Sequence, residues 1–160
     1  ANILRNIDEG IVKFLHQKES GNALNNGMEA VLLRLDHQDK LVHFCVAGRT
    51  LYYCSDKKLK AIRPVRISVG GFSRRIEKDF ETQSFRYQKG GQFYIFSDGF
   101  EDQFGGKRGK KYLRKYQEEF LKKLQEYPFE EHGQRIEQEY LEYKGGEPQV
   151  DDVIALGIKV

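Results

Sequence analysis

The sequence predicts an α+β fold, a layered sandwich of antiparallel β-sheets flanked by helices, built as a single domain over residues 1–160. Three observations predict it. β-prone runs recur between residues 28 and 97, joined by turns of hairpin length. Apolar residues at helical spacing open the chain and return between residues 113 and 124. A closing apolar run, Val153-Ile154-Ala155-Leu156-Gly157-Ile158, supplies one more strand after the helices.

In chain order, Ile3, Leu4, Ile7, Ile11, Phe14 and Leu15 repeat at helical spacing, and Ser20-Gly21 with Asn25-Asn26-Gly27 ends that helix. Strands are expected near residues 28–35, 41–47, 50–54, 59–63, 81–87 and 92–97, where branched and aromatic side chains suit a pleated surface. Turns fall at Asp36-His37-Gln38-Asp39, Ser55-Asp56-Lys57 and Gln88-Lys89-Gly90-Gly91. A helix is expected from about residue 110 to 126, with Leu113, Tyr116, Phe120, Leu121 and Leu124 facing inward. A second follows Pro128, whose fixed φ suits a first turn, and stops before Gly145-Gly146. The strand at 153–159 closes the chain.

With 160 residues and 39% apolar content, the chain buries one modest core, and no apolar run is long enough to span a bilayer. Its 27 basic and 24 acidic side chains nearly cancel. No membrane contact by this domain and no nucleic-acid partner are therefore expected. Two cysteines without a secretory segment point to a reducing, cytoplasmic setting. Both Cys45 and Cys54 sit in apolar strand-like runs without a nearby histidine, so they read as buried structural thiols. His16, His37, His43 and His132 show no ligand spacing, and Arg49, Arg63 and Arg66 take no catalytic assignment. The stretch Gly105-Gly106-Lys107-Arg108-Gly109-Lys110-Lys111 lacks the Gly-Lys-Ser/Thr of a phosphate-binding loop. It reads as a solvated, mobile flap leading into a helix, ahead of the alternative of a basic nucleic-acid module with Tyr112 and Tyr116 interleaved.

The chemistry is concentrated at two acidic strand mouths. Phe93-Tyr94-Ile95-Phe96 stops abruptly at Ser97-Asp98-Gly99-Phe100-Glu101-Asp102, so a rigid strand end delivers Asp98 with Asp102 close behind. Far along the chain, Glu147-Pro148-Gln149-Val150-Asp151-Asp152 opens into the last strand. If the two strands are neighbours, Asp98 and Asp151 meet over one hard, oxygen-preferring cation such as Mg²⁺ or Mn²⁺. The plainer reading is a hairpin turn at Asp98-Gly99 and a solvated cap at Asp151-Asp152.

Six segments in order resemble the SpoIIE-type protein serine/threonine phosphatases, a bacterial branch of the metal-dependent PP2C (PPM) family. They are Gly27-Met28-Glu29-Ala30-Val31-Leu32, Ala47-Gly48-Arg49-Thr50-Leu51-Tyr52-Tyr53, Ser68-Val69-Gly70-Gly71, Phe80-Glu81-Thr82, the Phe96 to Gln103 run, and Glu147 to Val153. The resemblance implies the PP2C-like sandwich and hydrolysis of phosphoserine or phosphothreonine on a partner regulatory protein, of the STAS (anti-anti-sigma) kind, below an upstream sensor domain. It implies that Asp98 and Asp151 bind the catalytic Mn²⁺ or Mg²⁺ ions, two per complete site, and that Asp102 helps hold a further, weaker ion. Ser97 and Gly99 then shape the turn, and Asp152 orients its neighbour. No protein nucleophile is required, since two metals activate the attacking water in this family.

One departure matters: the Asp-x-x-Gly-His-Gly type motif that carries the family's bridging carboxylate is not in this chain. The match therefore reads as the C-terminal three quarters of the domain, lacking its first strands, and the chain alone is expected to be inactive. Exposed edges left by those strands favour a homodimer. The alternative function is a non-catalytic, pseudophosphatase interaction domain.

Overall fold

A computed structural model describes residues 1–18, 26–64, 67–71 and 78–160, which form two compact units: residues 1–50 with 63–87, and residues 51–62 with 88–160. The helix-ending turn expected at Ser20-Gly21 to Asn25, and Arg66, lie outside the described residues.

The first unit contains α1 (Asn2–Phe14), β1 (Gly27–Met28), β2 (Ala30–Asp36), β3 (Leu41–Ala47), β6 (Val69–Gly70) and β7 (Gln83–Arg86). Its sheet has the order β2-β3-β7, antiparallel throughout, with Ala30 opposite Ala47 and Leu41 opposite Arg86. The run expected as one strand from 28 to 35 is interrupted at Glu29, because Gly27 and Met28 pair instead with Gly70 and Val69. Helix α1 buries Leu4 and Val12 and leaves Ile3 and Phe14 exposed. Leu4 packs with Cys45, Ala47, Val69 and Phe80 in a small core. Polar clamps fasten the helix: the Asp8 carboxylate accepts from Gly70 N at 2.7 Å and from Lys78 Nζ at 2.7 Å. Arg49 pairs with Glu29.

The second unit contains β4 (Leu51–Ser55), β5 (Lys58–Ile62), β8 (Gln92–Phe96), α2 (Asp98–Asp102), β9 (Phe104–Gly105), β10 (Lys110–Lys111), α3 (Leu113–Leu124), a 3₁₀ turn (Phe129–Glu131), α4 (His132–Lys144) and β11 (Ala155–Lys159). Four antiparallel strands run in the order β11-β8-β4-β5. Asp56 and Lys57, both at positive φ, make the two-residue turn between β4 and β5. Successive side chains of β8 point to opposite faces, and both faces are covered: Phe93, Tyr94 and Phe96 are all at most 2% exposed.

Helix α4 buries His132, Ile136 and Tyr140, one position per helical turn, as a 3.6-residue period requires. Ile136 and Tyr140 join Tyr52, Phe96, Phe100, Tyr112, Leu121 and Leu124 in the main core. Helix α3 departs from expectation. It begins at Leu113, not residue 110, and it exposes Leu113 and Tyr116 while burying Gln117. Inside, the Tyr52 hydroxyl donates to Gln117 Oε1 at 3.0 Å, which satisfies half of the buried amide and leaves its Nε2 without a partner. The stretch from Gly105 to Lys111, expected as a mobile flap, lies in a β9–β10 hairpin with Lys110 opposite Gly105.

Both cysteines are buried and free, as their apolar runs suggest. Burial pushes the Cys54 thiol up to about 12 and raises that of Cys45 as well. Of the four histidines, His132 is a core residue: its Nε2 donates to the Tyr127 carbonyl at 2.9 Å and its Nδ1 lies 2.6 Å from the Tyr94 hydroxyl.

Candidate functional site

The two acidic segments meet at one end of the four-stranded sheet. Strand β8 runs up to Phe96 and β11 starts at Ala155, and these two residues face each other in the antiparallel register. The chain leaving β8 and the chain entering β11 therefore emerge side by side. Ser97 joins them through both backbone and side chain. Its N–H donates to the Ile154 carbonyl at 2.9 Å, its hydroxyl donates to the Asp152 carbonyl at 2.9 Å, and that oxygen accepts from Ile154 N at 2.9 Å.

Beyond Ser97 the chain enters not an open hairpin turn but the single helical turn α2, with extended Ser97 as its N-cap. Its anchor is Phe100, 1% exposed, against Phe96, Tyr112 and Tyr140 with ring centroids 5.1, 5.2 and 5.4 Å away. Burying such a ring contributes roughly 1.5–3 kcal/mol, enough to hold a turn too short to be stable alone. Gly99 permits the approach of the second segment: a Cβ there would come within 2.9 Å of the Asp152 carbonyl carbon and 3.2 Å of the Asp151 oxygen.

Asp98, Asp102, Asp151 and Asp152 are all exposed at this rim. Asp98 Oδ1 accepts from Gly99 N at 3.1 Å, and Asp151 Oδ1 accepts from Asp152 N at 2.7 Å. Asp102 is paired instead with Lys111 Nζ at 3.0 Å, and Glu101 with Arg114 at 3.5 Å. The exposed carboxylate oxygens are the donor type a hard divalent cation takes. The fit is partial: among the described residues, no three His, Cys, Asp or Glu groups converge to hold a metal ion.

Sequence reasoning overlooked Gln103. It is fully buried, and its side chain reaches both acidic segments: Nε2 donates to the Phe104 carbonyl and to the Pro148 carbonyl, each at 2.9 Å, and Oε1 accepts from the Tyr140 hydroxyl at 2.7 Å. Its place directly after Asp102 was the only signal.

A sequence model of the family described as Stage II sporulation protein E (SpoIIE) matches residues 1–160. The chain belongs to the SpoIIE family. Solved SpoIIE-like structures show the same PP2C fold of helices and antiparallel sheets. The SiaA-PP2C domain of Pseudomonas aeruginosa is 26% identical with a TM-score of 0.85, over 99% of this chain and 59% of that one. The phosphatase domain of the cell fate determinant SpoIIE from Bacillus subtilis is 18% identical with a TM-score of 0.62, over 99% and 71%. RsbX in complex with magnesium is 15% identical with a TM-score of 0.57, over 98% and 72%. The chain thus spans less than two thirds of the SiaA-PP2C domain. Comparison with curated protein sequences gives no match. No helix among the described residues is long and apolar enough to cross a membrane.

Proposed function

We propose that the protein carrying this chain is a metal-dependent phosphatase acting on phosphoserine or phosphothreonine of a partner regulatory protein, in the cytoplasm and under the control of a sensor domain. The observation that carries this reading is the meeting of the Ser97–Asp102 turn with the Asp151-Asp152 segment at one sheet end, in a SpoIIE-family chain. Asp98 and Asp151 would hold the divalent ions, with Asp102 at a further ion and Asp152 orienting its neighbour. When bound, Mn²⁺ or Mg²⁺ supplies Lewis-acid polarisation of the phosphoryl group and activates water at neutral pH.

The chain's own residues supply position and charge. Ser97 locks the two acidic segments together, and the carboxylates concentrate negative charge where cations are needed. Neither thiol competes as a nucleophile, because burial keeps both protonated. The magnesium named with RsbX accords with this cofactor class.

The 160-residue chain alone is the weak point of the site, since two carboxylates without a bridging third hold a metal pair poorly. A non-catalytic interaction domain is the second reading, favoured by the absence of a three-ligand cluster among the described residues.

Phosphopeptide turnover by the full-length protein decides between them. Turnover is expected with Mn²⁺ or Mg²⁺, and Asp98→Asn or Asp151→Asn should lower kcat roughly 100-fold or more, because each keeps shape and removes an anionic ligand. Undiminished turnover in excess chelator or in either variant refutes the metal mechanism. No turnover under any metal condition supports the interaction domain.

A further inference from the structure

The acidic segment that ends in Asp151 has little structure of its own. Residues 145–154 form neither helix nor strand, and residues 145–152 are exposed. Its position therefore depends on a few holds from outside: Lys144 Nζ donates to the Glu147 carbonyl near its start, Val153 packs on the core near its end, and the others come from the two residues that flank α2. Ser97, immediately before Asp98, hydrogen bonds Asp152 and Ile154. Gln103, immediately after Asp102, hydrogen bonds Pro148, three residues ahead of Asp151.

We infer that Gln103 is a positioning residue for the acidic site, fastening the 147–152 segment to α2 so that Asp151 is held against Asp98. This rests on the metal-site reading above. Three observations carry it. The side chain is 0% exposed, yet both its N–H groups and its carbonyl are engaged, so a costly buried amide is fully satisfied. Its two acceptors are backbone carbonyls, which need an N–H donor: glutamate would place a carboxylate against them. Tyr140, on α4, fixes the orientation of the amide from the far side, since its hydroxyl donates to Oε1 and leaves the NH₂ group turned to Phe104 and Pro148. The bracket thus has one polar contact upstream of Asp98 and one downstream of Asp102, both gripping the segment that carries Asp151.

Gln117 provides an internal comparison. It is equally buried in the same unit and bonded to Tyr52 through Oε1, with Nε2 unpartnered, and it makes no hydrogen bond to either acidic segment among the described residues. If burial of a polar amide were all that mattered, the two glutamines would respond alike.

The test is Mn²⁺ affinity of the full-length protein, read from the EPR signal of the free ion, with melting temperature measured in parallel. Gln103→Met keeps the length and volume of the side chain and removes its hydrogen bonds. Tyr140→Phe keeps the core ring and removes only the bond that orients Gln103, which preserves folding if the first variant fails. Each is expected to raise the Mn²⁺ dissociation constant, by roughly 10- to 100-fold for Gln103→Met and less for Tyr140→Phe, with kcat recovering at saturating Mn²⁺. Gln117→Met should leave the dissociation constant at the wild-type value even where it lowers the melting temperature. An unchanged dissociation constant in either folded variant, or an equal rise in Gln117→Met, overturns the role of Gln103. A wild-type protein that binds no Mn²⁺ overturns the metal reading itself, and the inference with it.

Discussion

Gly99 shows how one residue sets the geometry of the rim. Any side chain at this position would collide with the backbone of the second acidic segment, and backbone, unlike a flexible side-chain end, does not yield cheaply. Gly99→Ala should therefore cost about 1–3 kcal/mol by overpacking. It should also displace Asp151-Asp152 from Asp98. Thermal or denaturant unfolding measures the first effect, and weakened Mn²⁺ binding the second. A variant as stable as wild type would mean that the two segments approach less closely than the structure shows. At the same scale, Ser97 and Gln103 act through hydrogen bonds rather than charge, which is why shape and not acidity marks them out.

Among the elements, the β9–β10 hairpin departs most from expectation. Three glycines and a run of like charges suggest a mobile flap, but the structure anchors it on α4. Gly106 N donates to the Tyr143 carbonyl at 2.8 Å, the Tyr143 hydroxyl donates to the Lys110 carbonyl at 2.7 Å, and Tyr143 packs edge-on against Tyr112 at 4.8 Å. Gly105 lies so close to Tyr143 that a Cβ would come within 2.7 Å of its carbonyl carbon, whereas a Cβ on Gly109 meets nothing within 4 Å. Gly105→Ala should accordingly destabilise by about 3 kcal/mol or more. Gly109→Ala, strained only by its positive φ, should cost about 1 kcal/mol. The Gly106 and Tyr112 amides should exchange slowly with solvent while those of Lys107 and Arg108 exchange fast. Uniformly fast exchange from 105 to 112 would restore the flap picture.

For the whole molecule, buried acid–base groups set the alkaline limit. Burial raises the Cys54 thiol from 9.0 to about 12. Tyr94 is raised above its ordinary 10.0 mainly by burial, and Tyr112 by burial together with its contact to the Glu139 carboxylate. Each group loses its proton more readily in the unfolded chain. The stability it contributes is whole below its unfolded value and is lost as pH rises toward its folded one. The melting temperature should therefore fall steadily from about pH 9 to pH 12, and Cys54→Val should flatten the early part of that fall. A melting temperature level across this range would show that these groups titrate alike in both states.

Much of this was legible in the sequence because it is local. Continuous β-prone runs mark β8 and β3, Pro128 and Gly145-Gly146 bracket α4, and the Asp56-Lys57 turn needs only residues that tolerate positive φ. The two acidic motifs also announce themselves, since an abrupt change from apolar strand to carboxylates is visible in a few residues. Tertiary structure decided what those motifs become. The pairing of Phe96 with Ala155 joins segments far apart in the chain, and no local propensity specifies that partner. The anchoring of Phe100 turns the Asp98-Gly99 signal from a hairpin into a helical turn, and packing against Tyr143 turns a charged flap into a hairpin. Gln103 looks like a surface residue in sequence, because burying a polar side chain is costly unless distant partners satisfy it, and those partners exist only once the chain has folded.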